Sequence, residues 1–143
     1  MQYYFSLGSN LGEREQTIQH AIKMIEQQIG HVLRCSSFYY SEPWGFSSPH
    51  PFCNVCCLLE TDLQPLEVLH ATQVIERQLG RIQKSESINN KSAIYSDRSI
   101  DIDIICVFAD GKELIFDTPE LHIPHRLWHE RDFVKIPLKE IEE

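Results

Sequence analysis

Apolar residues alternate along the chain between strand-like runs and helical stripes. Residues 2–7 form a short apolar run that predicts a buried strand, and the turn-forming segment Gly8-Ser-Asn-Leu-Gly12 ends it. A helix is predicted over 13–29, because its apolar residues recur every three or four positions and Gly30 follows them. The residues expected to face the core are Ile18, Ala21, Ile22, Ile25 and Ile29.

The middle of the chain continues with strands and a second helix. Residues 31–41 and 52–61 are rich in Val, Phe, Tyr, Cys and Leu and predict two strands, with a long irregular loop over 43–51 between them. The second helix is predicted over 65–79, starting at Pro65 and stopping at Gly80. Its expected core residues are Val68, Ala71, Thr72, Ile75 and Leu79.

The last predicted strand is strongly apolar and spans 99–107. Asp110-Gly111 predicts a tight turn from it into a short partner over 113–116. The resulting order, βαββαβ, is typical of α+β folds of the ferredoxin-like kind, in which helices cover one face of an antiparallel sheet. A chain of 143 residues, of which 42% are hydrophobic, is expected to form one domain over 1–143.

Charge and cysteine content exclude several classes of protein. The formal net charge of -8 argues against a general nucleic-acid binder, which needs a surplus of Lys and Arg. No apolar stretch is long enough for a membrane span and no secretion signal is evident, so a cytoplasmic location is expected. A disulfide framework or a zinc site is not expected from the five cysteines, Cys35, Cys53, Cys56, Cys57 and Cys106.

The strongest candidate site is an acidic pair on the last strand. Strand alternation puts Ile100, Ile102 and Ile104 on the core face, and it puts Asp101 and Asp103 on the other, about 6.6 Å apart at the backbone. Two carboxylates at that separation repel by about 2 to 3 kcal/mol, and a bound divalent cation would reverse this. Oxygen ligands alone favour magnesium. A solvated outer face of an edge strand explains the pair as well, so the neighbouring segments must decide.

Three of those segments could bind a nucleotide or a flat ring. Residues 81–98 carry four cationic and two acidic side chains in an acidic chain, which suits phosphate binding. Gln73 and Glu76 are expected to border the sheet rather than open solvent, where they could bind a purine or ribose. Phe52 and Asn54 share one face of their strand, as an aromatic plane beside an amide. A solvated loop, helix-surface polarity and an ordinary core Phe are the alternative explanations.

Two other segments do not match the binding motifs that they partly resemble. The segment at 8–12 lacks the Gly-Lys-Ser/Thr ending of a nucleotide-binding P-loop. The histidines His122, His125 and His129 lack the spacing of a zinc motif, and Pro124 interrupts any helix there.

In combination, the motifs resemble the hydroxymethyl-dihydropterin pyrophosphokinase family, whose members make a pterin diphosphate from ATP in the folate pathway. The resemblance covers nearly the whole chain. The matching motifs are GSNLG at 8–12, Pro43-Trp-Gly45, Phe52-x-Asn54, Gln73-x-x-Glu76, Leu79-Gly-Arg81, RSIDIDI at 98–104, Ile123-Pro-His125 and Arg131-x-Phe133-Val. The resemblance implies a lid over 81–97. Many members have Trp-Gly-Pro where this chain has Tyr95-Ser-Asp97, so Tyr95 is expected to replace the aromatic residue of that lid.

The resemblance also implies ligands and roles. Asp101 and Asp103 would hold two magnesium ions with ATP, and Arg81 and Arg98 would balance charge as catalytic residues. The implied pterin site is Gly8, Ser41, Pro43, Trp44, Phe52, Asn54 and Phe133, with Phe52 and Phe133 on either side of the ring. The implied ATP site is Gln73, Glu76, Ile104, His125 and Arg131. No nucleic-acid or membrane partner is implied, and the chain would be a monomer or a weak dimer.

Two other functions are compatible with parts of the pattern. A nucleotidyltransferase also joins a Gly-Ser turn to an Asp-x-Asp pair, but here Ser9 and Asp101 are separated by two helices and two strands. Release of AMP rather than diphosphate from ATP would distinguish the two reactions. A ferredoxin-like module that binds a small ligand or RNA is the non-enzymatic alternative, although the RNA-recognition signature is absent.

Overall fold

The computed structural model describes residues 1–10, 12–41, 51–84, 100–125 and 128–142, with the backbone alone for 81–84 and 129. The strands within these ranges are Gln2–Ser9 (β1), His31–Cys35 (β2), Tyr39–Ser41 (β3), Phe52–Glu60 (β4), Asp101–Ala109 (β5), Lys112–Glu113 (β6), Phe116–Asp117 (β7) and His122–Ile123 (β8). The α-helices are Arg14–Gln28 (α1), Pro65–Lys84 (α2) and Asp132–Ile141 (α3), the last preceded by a single 3-10 turn at Trp128–Glu130.

An antiparallel sheet forms the centre of the fold, in the order β2-β4-β1-β5-β6. β1 lies between β4 and β5 and is antiparallel to both, while β3 pairs with the first residues of β4. β7 and β8 form a separate two-stranded ribbon. The protein therefore has a mixed α+β architecture, and no helix among the described residues is long and apolar enough to cross a membrane.

The main core lies between the sheet and helices α1 and α2. Alternate residues of β1 (Tyr3, Phe5 and Leu7) are fully buried there. The predicted stripe of α1 is confirmed, since Ile18, Ala21 and Ile25 are fully buried, Ile29 is nearly so and Ile22 packs against them. The stripe of α2 is confirmed as well, through Val68, Thr72, Ile75 and Leu79, with Ala71 packed alongside.

Helix α3 covers the opposite face of the sheet, so the expectation that helices cover only one face is wrong. Its buried residues Val134, Leu138 and Ile141 recur every three or four positions and pack on Cys56 and Leu58 of β4 and Ile105 of β5. The sequence contained this stripe, but Pro137 lies inside it and breaks the usual pattern of a helix. α3 therefore shares its face of the sheet with the acidic pair, Asp101 and Asp103.

Other predicted bounds differ from those observed. The segment 31–41 is two strands rather than one, because the chain leaves β2 after Cys35 and pairs again only at Tyr39. Helix α2 does not stop at Gly80 but continues to Lys84, since backbone hydrogen bonding tolerates one glycine inside a long helix. β5 begins at Asp101 rather than 99. The turn at Asp110-Gly111 is confirmed, with both residues at positive φ and Ala109 paired with Lys112.

We expect Gly30→Ala to lower the free energy of unfolding by about 3 kcal/mol, because overpacking forces backbone to move. A Cβ at Gly30 would lie 2.3 Å from the Glu60 carbonyl oxygen and 2.6 Å from the Thr61 Cβ. Glu60 is paired with Gln2 on one side and with His31 on the other, so its backbone cannot move away from the added Cβ. Urea denaturation measures the change.

Gly111→Ala is the matched control for Gly30. Its added Cβ would meet nothing within 4 Å, but its φ of +77° lies in the left-handed region. Only the cost of holding a residue with a side chain at positive φ remains, so we expect the free energy of unfolding to fall by about 1 kcal/mol. Equal losses for the two variants would contradict the contact with Glu60 as the cause.

Candidate functional site

Strands β4, β1 and β5 align three candidate residues in one row across the sheet. Gly8 of β1 pairs with Asn54 of β4 on one side and with Asp101 of β5 on the other. Since neighbouring strands are about 4.8 Å apart, Asn54 and Asp101 are roughly 10 Å apart at the backbone, with no side chain between them. The next row on the same face is Cys56, Ser6 and Asp103.

The acidic pair lies on the predicted face of β5. Ile102 and Ile104 are buried in the main core, whereas Asp101 and Asp103 are half-buried on the other face. Alternation places Ile105 on the same face as the pair, where it is buried under α3, and a register shift between Tyr4 and Phe5 brings Cys106 to that face as well. The pair therefore continues a face that α3 covers at its other end, and it is not part of a fully solvated outer surface.

Asn54 is held rigidly beside the row. Its side-chain nitrogen donates to the Tyr39 carbonyl oxygen at 3.2 Å and to the Ser41 hydroxyl at 2.8 Å, and the residue is 2% exposed. Because a carbonyl oxygen can only accept, the amide nitrogen must face β3. The amide oxygen Oδ1 consequently points toward Gly8, so Asn54 offers an acceptor rather than both kinds of group.

Gly8 has no side chain, so the surface of the sheet between Asn54 and Asp101 stays open. An added Cβ at this position would lie 3.0 Å from Asn54 Oδ1 and 3.5 Å from Phe52 Cδ1. The same contacts confirm that Phe52 and Asn54 share the face of the acidic pair. A glycine here thus leaves room beside an aromatic edge and an amide oxygen.

The start of α3 brings a cationic and an aromatic side chain to this face. The Arg131 guanidinium lies over the Phe133 ring, 5.7 Å from its centroid, and Phe133 packs against the smaller core under α3. The His125 backbone N–H donates to the Ile105 carbonyl oxygen at 2.8 Å, which fixes His125 beside β5. Burial lowers the pKa of His125 and Arg131 lowers it further, while Asp101 opposes both.

The expected position of Gln73 is wrong, and that of Glu76 is refined. Gln73 is exposed to solvent, so it does not border the sheet. The Glu76 carboxylate accepts a hydrogen bond from the Ile102 backbone N–H at 2.8 Å, on the edge of β5 that faces away from β1. Glu76 therefore supports the backbone between the two aspartates. No group of three or more potential metal ligands is found among the residues described.

Several predicted site residues lie outside the described residues, and another could contribute only its backbone. Ile104 has its side chain in the main core, so a contact with a nucleotide there would use its backbone. The other predictions lie outside the described residues, namely Pro43, Trp44, Tyr95, Asp97, Arg98 and the side chain of Arg81. Ser41 is described, and its hydroxyl contacts Asn54.

Sequence reasoning missed a cluster at the start of α1. The Arg14 side chain donates to the Pro51 carbonyl oxygen at 2.7 Å and lies over the Tyr40 ring at 5.4 Å. The Tyr40 hydroxyl donates to Glu15 at 2.6 Å. The cluster holds the chain just before and just after the segment that contains Pro43 and Trp44. No local pattern could have indicated it, because the contacts join residues 25 and 37 positions apart.

Comparison with known proteins identifies the family. Residues 4–143 match the sequence model of the 7,8-dihydro-6-hydroxymethylpterin-pyrophosphokinase (HPPK) family. A 2-amino-4-hydroxy-6-hydroxymethyldihydropteridine pyrophosphokinase from Porphyromonas gingivalis is 46% identical over 138 residues, which are 96% of this chain and 88% of that relative. The chain belongs to the HPPK family.

Further relatives agree with that family. A pyrophosphokinase of the same name from Bacillus subtilis is 34% identical over 139 residues, 96% of this chain and 76% of its own length. The solved structure of an HPPK-DHPS protein in complex with substrates covers 98% of this chain with a TM-score of 0.64. At 15% identity, and with 40% of that chain covered, the structural match supports the HPPK fold alone.

We expect Arg131→Gln to raise the pKa of His125, because removing the guanidinium relieves the repulsion that opposes protonation. Burial still lowers the pKa below the ordinary 6.5, so the imidazole is neutral at pH 7. A lowered pKa in the folded state means that His125 contributes stability above pH 6.5, which is lost as the pH falls below it.

NMR titration of the His125 ring measures this pKa in wild type and variant. Lys139→Gln, which removes an exposed cation from the last turn of the same helix, is the control and should leave it unchanged. A pKa for His125 that falls in Arg131→Gln would contradict the proximity of the two groups.

Proposed function

We propose that the chain catalyses the reaction of its family with a metal centre on Asp101 and Asp103 and a pterin site beside Gly8. The diphosphate of ATP is transferred to the hydroxymethyl group of 6-hydroxymethyl-7,8-dihydropterin, giving the pterin diphosphate and AMP in folate biosynthesis. The observation that carries the proposal is the row in which Asn54 and Asp101 lie on opposite sides of Gly8.

The acidic pair suits magnesium. Magnesium binds through one or two carboxylates together with substrate phosphates and keeps several waters, which matches two half-buried aspartates on one face of a rigid strand. Asp101 and Asp103 would hold two ions together with ATP. When bound, magnesium neutralises the charge on the phosphate oxygens. Glu76, through the Ile102 N–H, keeps the strand between the two aspartates in place.

The pterin ring is proposed to bind between Phe52 and Phe133, with Asn54 at its edge. The Asn54 Oδ1 oxygen accepts from a ring N–H or amino group, since its nitrogen is already bound to Tyr39 and Ser41. The absence of a side chain at Gly8 admits the ring, with the reacting hydroxymethyl group toward Asp101. Pro43 and Trp44 complete the site in this proposal.

The ATP side is proposed to include His125, Arg131, Glu76, Gln73 and the backbone of Ile104. A neutral His125 binds a phosphate or ribose oxygen as a hydrogen-bond donor without adding charge. Arg131 is oriented by its contact with the Phe133 ring, so one residue pair links the two substrates. Arg81 and Arg98 are proposed to balance the charge of the transferred phosphoryl groups.

The order of the strands in the sheet supports a ferredoxin-like fold as part of the same proposal. We assign the sheet to the ferredoxin-like class, because β1 lies between β4 and β5 and α1 and α2 share one face. β3, β6 and α3 are then additions to that core. The whole chain, 1–143, is one pyrophosphokinase domain in this view.

A direct assay tests the function. Purified protein is incubated with ATP, hydroxymethyl-dihydropterin and magnesium, and the products are separated. AMP and pterin diphosphate are expected in equal amounts, and removal of magnesium by a chelator should stop their formation. Release of diphosphate in place of AMP would instead indicate a nucleotidyltransferase.

A further inference from the structure

Two of the five free cysteines lie opposite each other at the edge of the sheet. Cys35 is the last residue of β2 and is exposed, whereas Cys57 of β4 is fully buried in the main core. They are direct partners in the β2–β4 register, and their Sγ atoms are 3.2 Å apart. The pair lies on the side of the sheet opposite the acidic pair, so it is separate from the proposed active site.

The backbone beside this pair holds the two thiols in register. The Ser36 N–H donates to the Cys56 carbonyl oxygen at 2.8 Å, and the Cys56 N–H donates to the Ser36 hydroxyl at 2.9 Å. Antiparallel rows alternate, so the adjoining Cys35–Cys57 row is the non-hydrogen-bonded kind, with Cα atoms roughly 4.5 Å apart. That separation lies at the short end of the range that a disulfide can span.

The two sulfurs differ in reactivity. The hydrogen bond from Cys57 stabilises the thiolate of Cys35 and lowers its pKa, although burial acts in the opposite direction. The same bond, together with burial, raises the pKa of Cys57 well above the ordinary value. Cys35 is therefore the accessible nucleophile and Cys57 is the protonated partner behind it.

We propose that Cys35 and Cys57 form a reversible oxidation site, at which a disulfide links β2 to β4. With a small disulfide as oxidant, the Cys35 thiolate attacks one of its sulfurs and expels the first small thiolate. Cys57 then loses its proton, attacks the Cys35 sulfur and expels the second. Two protein thiols become one disulfide, and the small disulfide is reduced to two thiols. A dithiol reductant reverses the reaction.

Oxidation by glutathione disulfide tests the proposal. The intact protein is incubated with this oxidant and then denatured, the remaining thiols are alkylated, and peptides are mapped without reduction. We expect three of the five thiols to be alkylated, a mass decrease of about 2 Da before alkylation, and a peptide linking Cys35 to Cys57. Dithiothreitol should restore five alkylated thiols.

Two serine variants sharpen the test. Cys35→Ser, at an exposed position, should fold and should yield no linked peptide. Cys106→Ser removes a half-buried thiol from the other side of the sheet and should form the Cys35–Cys57 peptide at the wild-type rate. Glutathione that stays on Cys35 without a linked peptide, or an unchanged thiol count in wild type, would overturn the proposal.

Discussion

Asp103→Ala is expected to lower the rate of AMP formation at least about 10³-fold, equal to roughly 4 kcal/mol of transition-state stabilisation. Asp103 is half-buried on the face of β5 opposite the main core, where Ile102 and Ile104 remain buried on either side of it in sequence. Removing its carboxylate takes away one of the two proposed protein ligands of magnesium. The main-core contacts of the strand are unchanged, so the free energy of unfolding should stay within about 1 kcal/mol of wild type.

Steady-state kinetics at several magnesium concentrations and a urea melt measure the two effects. Asp103→Asn keeps the shape of the side chain and should lose nearly as much activity, because the charge holds the cation. Glu113→Gln is the control, since it removes an exposed carboxylate from β6, the strand next to β5. Near-normal AMP formation by folded Asp103→Ala would rule out the metal assignment.

Gly8→Ala is expected to raise the KM for hydroxymethyl-dihydropterin by about tenfold or more, since each tenfold change corresponds to about 1.4 kcal/mol. The new Cβ would lie 3.0 Å from Asn54 Oδ1 and 3.5 Å from the Phe52 ring. Asn54 cannot move away freely, because Tyr39 and Ser41 hold its amide nitrogen. The methyl group thus occupies the space beside Asn54 and Phe52 in which the pterin ring is proposed to lie.

Kinetics with each substrate varied in turn distinguish this effect from general damage. The KM for ATP should change by less than about threefold, because the atoms nearest to the added Cβ belong to Asn54 and Phe52 and not to a proposed ATP residue. Ser9→Ala is the control on the same strand. The Ser9 hydroxyl is buried on the opposite face and has no hydrogen-bond partner among the residues described, so its loss should be nearly neutral. An unchanged pterin KM in Gly8→Ala would contradict the proposed site.

Local pattern alone predicted the elements whose burial is regular. The stripes of α1 and α2 and the alternation in β5 are set by spacing, because burial on one side requires an apolar residue at every turn or every second residue. The turn at Asp110-Gly111 follows from residues that tolerate positive φ. The acidic pair and the Phe52–Asn54 pair were likewise visible as residues that share a face of one strand.

Contacts between distant parts of the chain could not be predicted in this way. Helix α3 is defined by packing on β4 and β5, and Pro137 obscures its local pattern. The exposed position of Gln73 and the bond from Ile102 to Glu76 depend on how α2 lies against the edge of β5. The Arg14–Tyr40 cluster and the Cys35–Cys57 pair join residues that are far apart in sequence.

The acidic pair, Asp101 and Asp103, shows most clearly which features the sequence determined and which the tertiary structure determined. The sequence by itself determined that Asp101 and Asp103 share a face, since alternation is a property of any single strand. Its motifs also determined the family. Only the tertiary structure decided what lies beside the pair, because strand register is a property of pairing. The pairing of β1 with both β4 and β5 puts Gly8 between Asn54 and Asp101, and it thereby brings two motifs that are separate in sequence together in one proposed site.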